Sequence, residues 1–325
     1  MINQQSVIEK VNTMSKKRLP FFFIVDFYLN KPILFSMDEL QKADIMIQFP
    51  TFQSKTSLPD SKIHQIAIEK EPPSFESYKE SFEKVQKHLH YGNSFLTNLT
   101  ATTKIQTTSS LSEIYHAASA KYKILFQQEW ISFSPESFIQ IKNNKIYSFP
   151  MKGTIDASVP NAKELILSDV KEKAEHYTIV DLIRNDLSLV ATNVTVQDFR
   201  YIESIETPNK KLYQVSSRIS GQLPNDYLNS LGNIIFSLLP AGSISGAPKQ
   251  KTLEIIHEAE NYQRGYYTGV AFYFDGQDLD SCVLIRFIEQ TPEGLVYKSG
   301  GGITVNSEVE KEYQELIDKV YVPCI

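Results

Sequence analysis

The chain has 325 residues, 42% of them hydrophobic and 22% charged, with a formal net charge of −5. That composition excludes a disordered, collagen-like or coiled-coil chain. A mildly acidic protein without a Lys/Arg block is also no general nucleic-acid binder.

Read in chain order, Leu19 to Val25 is the longest apolar run near the start. Pro20 interrupts it and Asp26 stops it, so it cannot span a bilayer, and no signal-type cleavage site follows. A soluble, cytoplasmic protein with no membrane partner is expected. Residues 20–35 are aromatic and β-branched and read as a strand pair around Asn30-Lys31-Pro32. Residues 51–75 are polar, with scattered Pro and Ser, and read as a connection to the main body. Helices are predicted over 76–91, 161–190, 225–238, 248–261 and 308–320. Strands are predicted over 94–105, 122–127, 130–141, 145–149, 193–203, 211–221, 265–275, 279–288 and 294–299. Strands in consecutive runs favour an α+β architecture over a doubly wound parallel sheet. The two cysteines, Cys282 and Cys324, offer neither a disulfide framework nor zinc spacing.

Four segments carry residues suited to chemistry. In the first, Asp169 followed by Glu172 has the spacing of a helix cap. Glu172, Glu175, Ile179 and Ile183 then share one helix face, whose apolar end must be buried. The last helix repeats this with Val309, Glu312, Leu316 and Val320, and Glu315 stands one turn beyond Glu312. Such acids are either solvated or paired with Lys and Arg at the helix margins, or they hold a hard divalent cation such as Mg²⁺. In the second, PMKGT (150–154) places Lys152 on a short turn, either solvated or held as a nucleophile. In the third, PAGSISGAPKQK (240–251) has small residues that permit close backbone approach, with Ser245 suited to a cap and Pro248 to a first helical turn. In the fourth, SGGGITVNS (299–307) presents three consecutive glycines whose amides suit a carboxylate. Arg286, on the apolar run VLIRF, calls for a planar anion or an internal salt bridge. His176 adjoins Glu175 but has no Ser or Cys partner in a nucleophile motif.

Taken together and in order, FSPESF (133–138), PMKGT, EKAEHYTIVDLIRNDL (172–187), PAGSISGAPK, RGYYTGVAFY (264–273), VLIRF, SGGGITVNS and EKEYQELIDK (310–319) resemble the chorismate-utilising enzymes. The resemblance covers roughly residues 75–325. It implies two packed β-sheets with helices outside, in a single chorismate-binding domain over 1–325. Residues 1–75 would be a shortened N-terminal portion and 76–325 the catalytic core. It further implies Mg²⁺ on Glu175 and Glu315, with Glu172 and Glu312 close by, and a substrate contact from Gly153-Thr154. Tyr273 and Arg286 would hold the enolpyruvyl carboxylate, Ser245 and the Gly300 and Gly302 amides would line the site, and Glu136 would be the general acid.

Lys152 resembles the lysine of the aminodeoxychorismate-forming branch, where anthranilate synthases carry alanine. It implies covalent attack on the ring and amination of chorismate by ammonia, in the folate branch. Anthranilate synthase is the alternative, and isochorismate synthase a further one. Leu96 stands where isochorismate and salicylate synthases have a water-activating lysine, and Gln214 where many members have histidine. No tryptophan-binding segment is found and no glutaminase nucleophile motif, so a separate glutamine amidotransferase subunit, or ammonia in solution, would supply the nitrogen.

Overall fold

The computed structural model describes residues 4–54, 66–206 and 211–324. Helix α1 (Gln4–Lys16) precedes β1 (Phe21–Val25) and β2 (Ile33–Ser36), which form the expected antiparallel pair. A capping box between Ser36 and Glu39 starts α2 (Met37–Lys42), followed by β3 (Ile45–Phe49) and β4 (Phe52–Gln53). Next come β5 (Glu69–Glu71), α3 (Phe75–His90), β6 (Leu96–Gln106) and α4 (Leu111–Ala117). Strands β7 (Tyr122–Phe126), β8 (Trp130–Ser134), β9 (Ser137–Lys142), β10 (Lys145–Ser148) and β11 (Met151–Asp156) follow. Helices α5 (Ala162–Ser168) and α6 (Val170–Ser188) lead to β12 (Thr192–Glu206) and β13 (Lys211–Gln222). Then come α7 (Leu231–Leu238), α8 (Gly242–Ser245), β14 (Gly246–Ala247) and α9 (Lys249–Ala259). The chain closes with β15 (Val270–Phe274), β16 (Leu279–Val283), β17 (Phe287–Thr291), β18 (Gly294–Ile303) and α10 (Val309–Asp318).

The strands form two nine-stranded sheets. One runs β11-β13-β10-β9-β16-β15-β1-β2, with β12 also on β13. The other runs β14-β6-β18-β17-β8-β7-β3-β4, with β5 also on β6. Alternation along β1 explains how they stack. Phe22 and Ile24 point into an apolar layer shared with Ile47, Phe49, Ile124 and Phe287 of the other sheet. Phe21, Phe23 and Val25 point the opposite way, onto α1, α6 and α7. The second sheet is covered on its far side by α4 in one cluster and by α3, α9 and α10 in another. This is the α+β architecture of two packed sheets with helices outside.

Four predicted elements are corrected. The helix over 161–190 is two helices, because the Asp169 side chain accepts from the Glu172 N–H and restarts the chain as α6. The strand over 130–141 is two, β8 in one sheet and β9 in the other, since Pro135 lacks the N–H a ladder needs. The strand over 279–288 likewise divides into β16 and β17 at Arg286, whose φ is +53°. PMKGT is no turn: 151–156 is strand β11, paired with β13.

The glycine run is also strand. Gly300, Gly301 and Gly302 pair with Thr100, Leu99 and Asn98 of β6. Helices α1, α2 and α4 were not foreseen. Residues 51–75 contribute β4 and β5, and 55–65 lie outside the described residues. The N-terminal portion is built into both sheets, with β1 on β15 and β3 on β7.

Candidate functional site

The two sheet-to-sheet crossovers lie side by side. The Val283 N–H donates to Glu136 O at 3.2 Å, and the Phe133 N–H donates to Arg286 O at 3.2 Å. Ser132 Oγ adds a bond to Ile285 O at 2.9 Å. Glu136 and Arg286 therefore stand at one place, where neither sheet's ladder claims them. Burial pushes the Glu136 carboxyl up. A hydrogen bond from Ser243 Oγ at 2.7 Å, and the Lys152, Lys319 and Arg286 cations, pull it partway back. The charges that act on it are thus cations. The Arg286 guanidinium lies 5.2 Å from the Tyr321 ring, and no carboxylate pairs with it among the described residues.

Lys152 reaches the same neighbourhood from β11. Its Nζ donates to Glu175 Oε2 at 3.3 Å. A Cβ added at Gly302 would lie 3.2 Å from that Nζ and 3.0 Å from a Leu96 methyl carbon. Gly302 is thus required for close approach of the lysine to β18. Gly153 forms a bulge in β11 at φ +77°, and a Cβ there would meet Glu172 Oε2 at 2.8 Å. Exposed Thr154 follows, opposite Gln214.

On α10, Glu312 is buried and Glu315 exposed. A Cβ at Gly301 would lie 3.5 Å and 3.3 Å from their respective carboxylates. Lys319 Nζ pairs with Glu315 at 2.6 Å and donates to Gly300 O at 2.8 Å. The acids thus arrive as two pairs, on α6 and α10, each over a backbone stripped of side chains.

Those glutamates fit a hard cation chemically: they are oxygen donors over cradles that a Cβ would fill. Lysines attend two of them, Lys152 on Glu175 and Lys319 on Glu315. Among the described residues, no three His, Cys, Asp or Glu side chains form a metal-sized group on their own. A bound cation would therefore have to be completed by water or by an anionic ligand.

Two predicted residues do not join this set. Tyr273 is turned into the layer between the sheets, stacked on Phe52 at 4.5 Å between ring centroids. Tyr267, six residues earlier, has a buried phenol whose pKa burial pushes up and on which Arg264 and Glu260, then Arg286 and Glu136, bear electrostatically. Ser245 does not cap α9: it ends α8, fully buried, and donates to Ala241 O at 3.0 Å. The α8 residue that reaches the site is Ser243. Ser243, Tyr267 and Lys319 were missed. Only Lys319 had a signal, its i,i+4 spacing from Glu315.

His176 points away from Glu175, as neighbours on a helix must. Its Nε2 lies 2.7 Å from Ser217 Oγ, and its edge meets Phe199. Burial, with help from Arg200 and Lys152, pushes its pKa down to about 4. It stays a neutral, structural imidazole at neutral pH.

Comparison with known proteins shows the family. A family profile described as chorismate binding enzyme matches residues 26–323. An uncharacterized PabA-like protein of Pasteurella multocida is 46% identical over 316 residues, covering 97% of this chain and 98% of its own. Aminodeoxychorismate synthase component 1 of Escherichia coli is 33% identical over 262 residues, covering 75% of this chain but 56% of its own length. Among solved structures, a putative 2,3-dihydroxybenzoate-specific isochorismate synthase from Bacillus anthracis superposes with a TM-score of 0.71, covering 97% of this chain and 86% of its own. At 18% identity that likeness speaks for the fold alone. Among the described residues, no helix is long and apolar enough to cross a membrane.

Proposed function

The chain belongs to the chorismate-binding enzyme family and is a chorismate-utilising enzyme; from that premise we propose that it converts chorismate and ammonia into 4-amino-4-deoxychorismate. The observation that carries this reading is Lys152. Its amine rests against Gly302, paired with Glu175, and faces the same space as the Glu136 carboxyl. A nucleophile and a protonatable acid converge there, which a one-step addition of water or ammonia would not require.

In the proposed sequence the neutral Lys152 amine bonds to ring carbon C2. The ring double bonds shift and the C4–oxygen bond breaks, with Glu136 giving its proton so that water leaves. Ammonia then bonds to C4 and the C2–nitrogen bond to Lys152 breaks. Glu136 recovers a proton from the new ammonium. Burial favours the protonated Glu136 that the first half needs. Arg286, with Tyr267 beside it, would hold the enolpyruvyl carboxylate. Glu172, Glu175, Glu312 and Glu315 would hold Mg²⁺, which supplies positive charge for the ring carboxylate. Ammonia would come from a separate glutamine amidotransferase or from solution.

The test is to incubate the protein with chorismate, Mg²⁺ and an ammonium salt at alkaline pH and identify the product by mass spectrometry. Exchange of hydroxyl for amine with the enolpyruvyl group retained is the expected result. A fluorescent aromatic amine with pyruvate released would mean the anthranilate reaction. Full ammonia-dependent activity in Lys152→Ala would remove the covalent step.

A further inference from the structure

We propose that Ser243 is a positioning residue that fixes which oxygen of Glu136 faces the reacting C4 group throughout the cycle. This rests on the reading of Glu136 as acid and then base. Ser243 Oγ donates to Glu136 Oε1 at 2.7 Å, while the Glu136 N–H is held by Ser134 Oγ at 3.1 Å. The backbone and one carboxylate oxygen are thus both tethered, and the other oxygen remains for the substrate.

The choice of a hydroxyl matters. It donates to Oε1 of the ionised carboxylate and equally to Oε1 of the acid protonated on its other oxygen, so the transferable proton stays on the oxygen that faces the substrate. A lysine in its place would favour the ionised state only. Behind Ser243 lies a cavity walled largely by Phe138, Phe149, Ile183, Leu187 and Leu238. The Ser137 and Ser148 hydroxyls in the same lining are engaged with the Tyr122 hydroxyl and with Phe138 O, and Asp186 lines the cavity too. Asp186 is occupied by Lys249 at 2.9 Å.

The other groups facing Glu136 are Lys152 from β11, Lys319 after α10, Arg286 at the crossover, the Tyr267 phenol and the Cys282 thiol. None of them donates a hydrogen bond to its carboxylate among the described contacts. The Ser243 bond lowers the Glu136 pKa against the upward push of burial. Its loss therefore raises that pKa further.

The experiment is a pH profile of chorismate amination in the wild-type chain, Ser243→Ala and Ser243→Thr. Expected for Ser243→Ala is a fall in kcat of about ten- to a hundredfold, the range for a hydrogen bond to a charged group. KM for chorismate should stay within about twofold, and the limb set by Glu136 should move to higher pH. Ser243→Thr, which keeps the hydroxyl, should restore both. An unmoved limb in Ser243→Ala overturns the proposal, as does an equal loss in Ser243→Thr with an unchanged melting temperature. Glu136→Gln separates the two readings. If that variant keeps full activity, the role given to Glu136 fails. If it is inactive while the Ser243→Ala profile is unmoved, only the role given to Ser243 fails.

Discussion

Glu260 with Arg264 and Glu175 with Lys152 are both glutamate–cation pairs, and they differ in almost every respect that physical chemistry can vary. Arg264 is fully buried and forks onto both Glu260 oxygens, at 2.8 Å and 2.6 Å. Its remaining N–H groups reach Ile244 O, Asn98 O and Thr268 Oγ1. The Glu260 carboxylate also accepts from the N–H and hydroxyl of Thr100. Every charge there is satisfied, and the pair clamps β6 to α8. Lys152 meets Glu175 through one 3.3 Å contact, with its side chain 23% exposed. It has no fork geometry and faces a strand of glycines. A satisfied buried pair is scaffold, and a loosely held pair over bare backbone is suited to a group that must change partners.

That contrast can be broken in four ways. Lys152→Ala should cost the most in activity, about a thousandfold in kcat, roughly 4 kcal/mol. The melting temperature should hardly move; a large drop would make Lys152 structural. Arg264→Met should do the reverse, stranding the buried Glu260 carboxylate at a cost of about 3–5 kcal/mol in a denaturant titration.

His176, on the same helix as Glu175, sharpens the comparison through pH. Its pKa is about 4 in the folded chain against an ordinary 6.5. The unfolded chain therefore binds the extra proton first, and stability present above pH 6.5 is lost as pH falls towards 4, by up to about 3 kcal/mol. His176→Asn should flatten that part of the stability curve. Gly302→Ala should have the smallest effect, about a tenfold loss of kcat with the fold intact, because a methyl there crowds Lys152 and Leu96. Unchanged kinetics would show that the lysine has room to spare.

Much of this was legible because it is local. The Asp169 cap, the face shared by Glu172, Glu175, Ile179 and Ile183, and its counterpart through Glu312 and Leu316 all follow from helix periodicity. In the fold Ile179, Ile183 and Leu316 are buried, as that periodicity required. The misreadings have a common cause. Tyr273 and Tyr267 both occupy an aromatic β-type run, and alternation cannot say which end of a strand meets Arg286. Ser243 and Ser245 lie two residues apart on a four-residue helix, too short to carry a period. PMKGT looked like a turn because Pro150 and Gly153 flank the lysine, whereas the glycine makes a bulge inside a strand.

The amino-acid sequence by itself determined which chemistry the chain carries. A lysine, four glutamates on two amphipathic helices, a glycine run and an apolar-strand arginine are properties of residue type and short spacing. Tertiary structure alone decided which of these meet. The period-2 signal of a strand marks its faces but not its sheet, so only packing shows that the chain crosses between sheets at Pro135-Glu136 and at Arg286. Those crossings bring the acid and the arginine together across 150 residues of chain. The register of β18 on β6 and the bulge in β11 then set the amine of Lys152 over Gly302.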